Sequence, residues 1–279
     1  MANTPDLLYD AVVIGGGPAG LQATLTLARV HRRVLMLDSG SYRNDPARHM
    51  HNVVTHDGTP PADFRAAAQK ELAAYDTATI RADAATAVAV YGDGFRVEIG
   101  AEDVTTRGVV LATGVRDTLP DRPGLAELFG DVVAHCPFCH GHEFAGKPVA
   151  VVGSAAHLVG IMTPVASSVT MVDEESVARF ERTDDGVRIV LADGTTTEYG
   201  GAFVATQLQQ SAPFAEQLGL TLLPSGCVEI DVMGRTSLPG VHAAGDMAHL
   251  AALPMPMASV LTAAASGQIA ASALVAHLL

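Results

Sequence analysis

YDAVVIGGGPAG, residues 9–20, is an apolar run that ends in a glycine-rich turn. Its first part, 9–14, has the length and composition of a buried strand, and residues 21–30 have those of a helix. Residues 33–38, RVLMLD, predict a second strand. Strand, glycine turn, helix and strand in this order predict a βαβ unit, the building block of α/β folds.

The glycines of this turn fit the pattern G-x-G-x-x-G, which binds the pyrophosphate of a dinucleotide. The first lets the chain turn tightly, the second lets the pyrophosphate approach the backbone, and the third lets the helix pack close to the strand. Free N–H groups and the positive end of the helix dipole attract the phosphates. The predicted cofactor-binding residues of the turn are Gly15, Gly17, Pro18, Ala19 and Gly20.

A second unit of the same kind starts at the strand 149–153, VAVVG. We therefore predict an α/β fold with two Rossmann-like dinucleotide-binding domains, the second of them degenerate. The first domain is predicted to be discontinuous, with residues 1–116 and 229–279. The second domain is predicted to contain residues 117–228.

The composition excludes several classes of function. The chain of 279 residues has 17 Lys and Arg against 30 Asp and Glu, and the net charge of −13 argues against nucleic-acid and anionic-membrane partners. A hydrophobic content of 48% excludes disorder. We see no signal peptide at the start, and the uncharged region 247–279 is interrupted by proline, glycine and histidine. These features predict a cytoplasmic protein whose last helix packs on a sheet and does not span a membrane.

The most informative stretch for chemistry is HCPFCHGHE, residues 135–143. Cys136 and Cys139 form a C-x-x-C pair, which can close a small redox-active disulfide: one thiolate attacks an incoming sulfur and the other resolves the mixed disulfide. An imidazole takes a proton from a thiol near neutral pH more readily than a carboxylate does. We therefore predict His140 as the acid and base, with His142 as the lesser candidate.

Three other interpretations of this stretch exist. C-x-x-C-H also occurs at c-type haem attachment sites, but these require export. A zinc site from both cysteines and both histidines is conceivable, but structural zinc sites draw a second ligand pair from a separate segment, and we predict no metal site. Two buried structural thiols are the third interpretation. The remaining cysteine, Cys227, is interpreted as a small buried residue.

Two later stretches favour FAD over NAD: ATG at 112–114, which closes a strand, and AGD at 244–246, which precedes the last helix. Together with the cysteine pair they resemble the low-molecular-weight thioredoxin reductase family over essentially the whole chain. The resemblance implies an FAD-binding homodimer in which Cys139 faces the flavin and Cys136 exchanges with substrate. It implies that Gly245 and Asp246 contact the ribityl chain and pyrophosphate, and that the last helix begins at the pyrimidine ring. The further FAD-binding residues predicted are Asp38, Ser39, Arg43, His51, Thr113, Gly114, Gly245, Asp246, Ser259 and Val260.

Asp38 has this role because an acidic residue about 20 positions after the glycine turn holds the ribose hydroxyls of the dinucleotide.

The second glycine motif differs from the first. Residues 153–158 read GSAAHL, so only Gly153 fits the fingerprint. Residues 173–175 are Asp-Glu-Glu, where thioredoxin reductases have a His-Arg-Arg cluster for the 2′-phosphate of NADPH. Three carboxylates repel a phosphate, so the sequence predicts that NADPH does not bind.

This combination narrows the resemblance to thioredoxin-reductase-like dithiol oxidases, which close disulfides in gliotoxin- and holomycin-type natural products. They share C-x-x-C-H-G and the stretch 42–51, YRNDPARHMH, which by this resemblance borders the flavin through His51. A solvated polar loop is the alternative for its histidines. The loop LPMPM, 253–257, is expected near the flavin edge or in the core.

The resemblance implies oxidation of a small-molecule dithiol, with O2 as electron acceptor and without NADPH. Two alternatives remain open. One is a ferredoxin-dependent or NADPH-dependent thioredoxin reductase, and the other, from a different class, is a non-catalytic flavin redox sensor.

Overall fold

The computed structural model describes residues 9–279; the start of the chain, where we expect no signal peptide, lies outside the described residues. The strands, in chain order, are β1 (Tyr9–Ile14), β2 (Val34–Leu37), β3 (Ala78–Arg81), β4 (Ala87–Tyr91), β5 (Gly94–Ile99), β6 (Glu102–Leu111), β7 (Val115–Thr118), β8 (Val133–Ala134), β9 (Pro148–Val152), β10 (Ser168–Val172), β11 (Val177–Thr183), β12 (Gly186–Leu191), β13 (Thr196–Tyr199), β14 (Gly201–Val204), β15 (Gln207–Gln210), β16 (Val228–Glu229), β17 (Val241–Ala243) and β18 (Ala248–His249). The helices are α1 (Pro18–Arg29), α2 (Pro61–Leu72), α3 (Leu125–Leu128), α4 (Pro137–His140), α5 (His157–Met162), α6 (Phe214–Gln217) and α7 (Val260–His277).

The chain divides into two compact units. The first unit contains the chain up to Arg43, Ala62–Arg116 and Leu208–Leu279. The second unit contains Asn44–Pro61 and Asp117–Gln207. The division after residue 116 coincides with the predicted one, whereas the other boundaries differ from those predicted.

Two segments therefore lie in a different unit from the one in which they were predicted. Residues 208–228 were predicted in the second domain, but they fold with the first unit because Phe214 and Cys227 are buried in the same core as Val241. Residues 44–61 were predicted in the first domain, but they fold with the second unit. The compact units are defined by contacts within the chain, and the boundaries predicted for the two dinucleotide-binding domains stay a prediction.

The first unit is built on a parallel sheet in the order β3-β2-β1-β6, with β17 beside the carboxyl half of β6. The antiparallel strands β5 and β4 extend the sheet from the amino half of β6. Val12 lies opposite Val109, and both are fully buried, as an apolar strand between two covered faces requires. Ile14 and Ala243 both lie beside Leu111, so β1, β6 and β17 end at one edge.

Among the described residues, α7 is the helix that by length and composition could cross a membrane, with a mean hydropathy of 1.3. In the first unit its small residues pack with those of α1 in one core. A methyl group at Gly267 would collide with the carbonyl of Ala19, and one at Gly108 of β6 would collide with Leu274. The helix thus packs closely on α1 and on the sheet, as the sequence predicts.

The second unit has its own parallel sheet, β10-β9-β14-β8, and a three-stranded antiparallel sheet, β11-β12-β13. The register of β9 with β10 places Val152 beside Val172, so both strands end where a Rossmann fold binds its dinucleotide. The helix that follows β9 is short, His157–Met162.

A buried histidine in β17 makes the first unit sensitive to acid. His242 is 2% exposed, and neither ring nitrogen has a hydrogen-bond partner among the described residues. The pKa of His242 is lowered from 6.5 to about 4, mainly by burial, with smaller contributions from His277 and Arg235 that Asp231 opposes. Above pH 6.5 the ring is neutral in the folded and the unfolded chain, so it has no effect on stability there. Below that pH the unfolded chain takes up the proton first, and stability falls until the folded pKa is reached.

We expect His242→Leu to remove this loss, which amounts to about 2 kcal/mol at pH 5 and about 3 kcal/mol at pH 4. The measurement is urea unfolding of FAD-saturated protein between pH 4 and pH 8. The matched control is His157→Gln, which changes an exposed histidine and should retain the wild-type pH dependence. If the free energy of unfolding of His242→Leu still falls with pH as in the wild type, another group causes the loss.

Candidate active site

The glycine turn between β1 and α1 has the conformation that a dinucleotide requires. Gly15 has φ of +121°, and a methyl group there would collide with the carbonyl of Ala112. A methyl group at Gly20 would collide with the carbonyl of Gly15, so this glycine lets the helix pack on the strand. Gly17 is different, since a methyl group there would meet no atom within 4 Å.

Gly17 is also the residue before α1, and no side chain caps the helix at this end. The open space above it and the uncapped N–H groups form a cradle for a pyrophosphate. The residues therefore fit a dinucleotide at the position that the sequence predicts.

The other predicted cofactor segments of the first unit meet at the same edge of the sheet. Gly245 has φ of +77°, and its N–H donates to Ser266 Oγ at 2.9 Å. A Cβ at Gly245 would lie 3.0 Å from the side chain of Ala19, in the glycine turn. Thr113 Oγ1 lies 3.4 Å from Met247 Sδ. Strands that end side by side thus bring together three segments that are distant in sequence.

Asp38 is 6% exposed at the end of β2 and is held by three donors. The Gly40 N–H donates to Oδ1 at 3.0 Å, the Tyr42 hydroxyl to Oδ2 at 2.6 Å and Gln69 Nε2 to Oδ2 at 3.2 Å. A carboxylate has about four acceptor positions, so one remains for a ribose hydroxyl. Ser39, predicted beside it, is exposed.

Tyr42 also stacks against a cation, since the Arg65 guanidinium lies 3.6 Å from the centre of its ring. The contacts of Tyr42 and Gln69 with Asp38, and of Arg65 with Tyr42, were not predicted from the sequence. Gln69 and Arg65 lie on α2, and no local pattern relates that helix to the end of β2.

Arg43 and Asp246, both predicted to bind the cofactor, form an ion pair within the first unit. Arg43 Nη1 lies 2.8 Å from Asp246 Oδ2, and the side chains are 16% and 20% exposed. The arginine compensates a carboxylate that would otherwise repel the phosphates of a bound dinucleotide. The buried thiol of Cys227 lies 3.6 Å from the Asp246 carbonyl, and burial raises the pKa of this thiol, so it is interpreted as an inert core residue.

The start of α7 borders a pocket of about 130 Å³ in the first unit. Ser259 caps the helix, and its Oγ accepts from the Thr262 N–H at 3.1 Å. Val260 is the first residue of the helix. The pocket is lined by Ile230, Gly245, Asp246, Ala248, His249, Leu250, Leu253, Pro256, Met257, Thr262, Ala263 and Ser266. The predicted loop 253–257 thus supplies three of the lining residues, among them a flexible thioether.

The cysteine pair lies in the second unit, at the start of α4. Cys136 precedes the helix in an extended conformation, and Pro137 takes the first helical position, which suits its fixed φ. The Sγ atoms of Cys136 and Cys139 lie 2.6 Å apart, within reach of one covalent bond. The His140 N–H donates to the Cys136 carbonyl at 3.2 Å, so both side chains start from the same turn. Phe138, between the cysteines, is 66% exposed.

His140 has the geometry of a base. Its Nε2 lies 3.2 Å from the Gly130 carbonyl, which can only accept, so Nε2 carries the proton of the neutral ring. Its Nδ1 is buried and has no partner among residues 9–279, which leaves a lone pair available. Burial lowers the pKa of His140, against the opposing effects of the Gly130 carbonyl, Glu143 and Asp131. His142, the lesser candidate, is exposed in the next turn.

His51 is placed in the second unit, where its ring lies between two carboxylates. Nδ1 is 3.6 Å from Asp57 Oδ1, and Nε2 is 3.5 Å from Glu143 Oε1. The sequence did not predict these contacts, and the contact of His51 with the flavin stays a prediction.

The second glycine turn differs from the first in the way the sequence indicates. A Cβ at Gly153 would lie 3.0 Å from Glu174 Oε2, so a carboxylate occupies the space above this glycine. Ala155 and Leu158 are buried in the core of the unit and serve its packing. Asp173 accepts from the Glu175 N–H at 3.3 Å and fixes the acidic turn in place.

In the described part of the chain, we find no group of three or more His, Cys, Asp or Glu side chains that could hold a metal ion.

Comparison with known proteins gives consistent matches over both units. A sequence profile described as pyridine nucleotide-disulphide oxidoreductase matches residues 9–159 and 162–268. The chain is 34% identical over 281 residues to thioredoxin reductase aclD from Aspergillus oryzae, covering 86% of this chain and 88% of that protein. It is 31% identical over 313 residues to thioredoxin reductase tcpT from Claviceps purpurea, covering 97% and 96%. The crystal structure of an oxidoreductase from Agrobacterium tumefaciens is similar with a TM-score of 0.87 at 28% identity, covering 96% of this chain and 97% of that one.

Proposed function

Because this chain belongs to the pyridine nucleotide-disulphide oxidoreductase family and is an FAD-dependent, thioredoxin-reductase-like enzyme, we propose that it oxidises a small-molecule dithiol to a disulfide, with O2 as the electron acceptor and without NADPH. The observation that carries the proposal is the second turn: Ala155 stands where Gly17 leaves open space in the first turn, and Glu174 Oε2 lies 3.0 Å from the Cβ position of Gly153. Without NADPH, the two electrons are supplied by the thiols of the substrate. We also propose that the protein is cytoplasmic and forms a homodimer.

The first half of the reaction takes place at the cysteine pair. Nδ1 of His140 accepts the proton of a substrate thiol, and the resulting thiolate attacks Cys136 Sγ of the Cys136–Cys139 disulfide. The bond between the two cysteines breaks, and Cys139 leaves as a thiolate. The second substrate thiol then attacks the substrate sulfur of the mixed disulfide, which releases the product disulfide and leaves two electrons on the cysteine pair.

The residues of the first unit hold the cofactor: the glycine turn takes the pyrophosphate, Asp38 takes the ribose, and Arg43 compensates Asp246 beside it. The chemistry that FAD supplies is acceptance of two electrons from a dithiol and their donation to dioxygen. The overall reaction, in which dithiol and O2 give disulfide and H2O2, is balanced in atoms and electrons.

The acidic turn after β10 supports the exclusion of NADPH electrostatically. Asp173, Glu174 and Glu175 lie together at the end of the strand, and a 2′-phosphate brought there would meet like charges. The arginine nearby, Arg122, donates to the Glu174 carbonyl at 3.3 Å from both Nε and Nη2, so it is engaged by the turn itself.

We expect dithiothreitol to bleach the flavin absorbance of the oxygen-free enzyme within seconds and equimolar NADPH to leave it unchanged. Admitting air should then restore the absorbance and produce one H2O2 for each dithiol oxidised. An NADPH-dependent thioredoxin reductase, bleached by NADPH under the same conditions, is the control. Rapid bleaching by NADPH would refute the proposal, and so would reduced flavin that air does not reoxidise.

A further inference from the structure

Segment 44–61 interrupts the first unit in sequence but folds with the second. Pro46 packs against Gly130, where a Cβ would lie 2.7 Å from the proline side chain and where φ is +88°. Arg48 Nη2 lies 3.9 Å from Asp131 Oδ2. The third contact joins His51 to Glu143.

These contacts converge on the surroundings of one side chain. Gly130 supplies the carbonyl that receives the Nε2 proton of His140, and Asp131 and Glu143 are the carboxylates whose charges favour its protonated form. The segment therefore contacts the groups that determine the tautomer of His140 and its charge.

The contact between His51 and Glu143 has the most direct consequence. Glu143 follows His140 by three residues, and its side chain is 38% exposed, whereas that of His51 is 24% exposed. A protonated His51 forms ion pairs with Glu143 on one side and Asp57 on the other. It compensates part of the negative charge with which Glu143 acts on His140.

We propose that His51 is a positioning residue for His140 that acts through Glu143. The inference rests on the proposed function, because it gives segment 44–61 a role in the proton transfer between His140 and the substrate thiol. The charged groups that face this region are Glu143 on the turn after α4, His51 and Asp57 on the segment, and Asp131, which is paired with Arg182 at 2.6 Å.

The test is the titration of the His140 ring, followed by NMR in the FAD-loaded enzyme with labelled histidine and assigned by loss of the signal in His140→Gln. Glu143→Gln removes a charge that favours the protonated ring, so the midpoint should move down by about half a pH unit. His51→Asn removes the opposing positive charge, so the midpoint should move up by a similar amount. Because His51 acts through Glu143, adding His51→Asn to Glu143→Gln should move the midpoint little further, so the double variant should titrate close to Glu143→Gln.

The matched control is His49→Asn, which changes an exposed histidine of the same segment and should leave the midpoint in place. Shifts in the same direction for Glu143→Gln and His51→Asn, or no shift in either, would overturn the inference. Thermal unfolding checks that the variants fold, and His51→Gln replaces His51→Asn if it does not. Flavin bleaching by dithiothreitol is recorded on the same samples: its absence in the wild type refutes the proposed function, while the titration still decides the inference about His51.

Discussion

Replacing Cys136 with serine should lower the turnover of dithiols about 10³-fold or more, because a hydroxyl cannot form the disulfide that the substrate thiolate attacks. Cys139→Ser should also stop turnover but should leave Cys136 free to form a mixed disulfide. Incubation with 2-hydroxyethyl disulfide should then add one mercaptoethanol to Cys139→Ser, with release of a second mercaptoethanol, and none to Cys136→Ser.

The measurements are O2 uptake with dithiothreitol and the intact mass of each variant under non-reducing conditions. Cys227→Ser is the matched control: this thiol is fully buried and its pKa is raised, so the variant should retain wild-type turnover. Retained turnover in Cys136→Ser, or adduct formation on Cys139, would assign the substrate-facing role to the other cysteine.

His140→Gln should lower kcat by about 10²- to 10⁴-fold, the range over which a positioned acid and base contributes. Glutamine can still approach the Gly130 carbonyl with an N–H but cannot take up a proton. The variant should bind FAD normally, since the proposed cofactor residues lie in the first unit except His51.

The pH profile distinguishes this role from a structural one. The base must be neutral, and burial lowers the pKa of His140 below its usual 6.5, so the activity of the wild type should be lost only below pH 6.5, as the pH falls through the lowered pKa. In His140→Gln this acid limb should disappear, and the rate should rise with pH as the substrate thiolate forms, up to about pH 8.5. A larger loss of kcat in His142→Gln than in His140→Gln would assign the role of acid and base to His142.

The conformation of the first glycine turn could be predicted because it depends on residues that are neighbours in sequence. A turn that requires positive φ at Gly15 and close packing at Gly20 leaves few alternatives to glycine, so the motif is recognisable without coordinates. The same holds for Cys136 and Cys139, which are brought together by one turn of backbone. The missing glycines of the second turn were visible for the same reason.

The partners of these residues could not be predicted in this way. Arg43 and Asp246 were each predicted to bind FAD, but their ion pair joins positions 203 residues apart and forms because β2, which precedes Arg43, and β17, which precedes Asp246, end at the same edge of one sheet. The Gly130 carbonyl that fixes the tautomer of His140 lies on a loop without a recognisable motif.

The sequence by itself determined the α/β class, the tight conformation of the first glycine turn and the proximity of Cys136 to Cys139, because each depends on local backbone geometry and on the types of adjacent side chains. Only the tertiary structure decided that segment 44–61 folds with the second unit, that Glu174 covers Gly153, and that His242 is buried without a partner. These features depend on which distant segments exclude water from one another, and that choice is made by the packing of the whole core and not by any local stretch of residues.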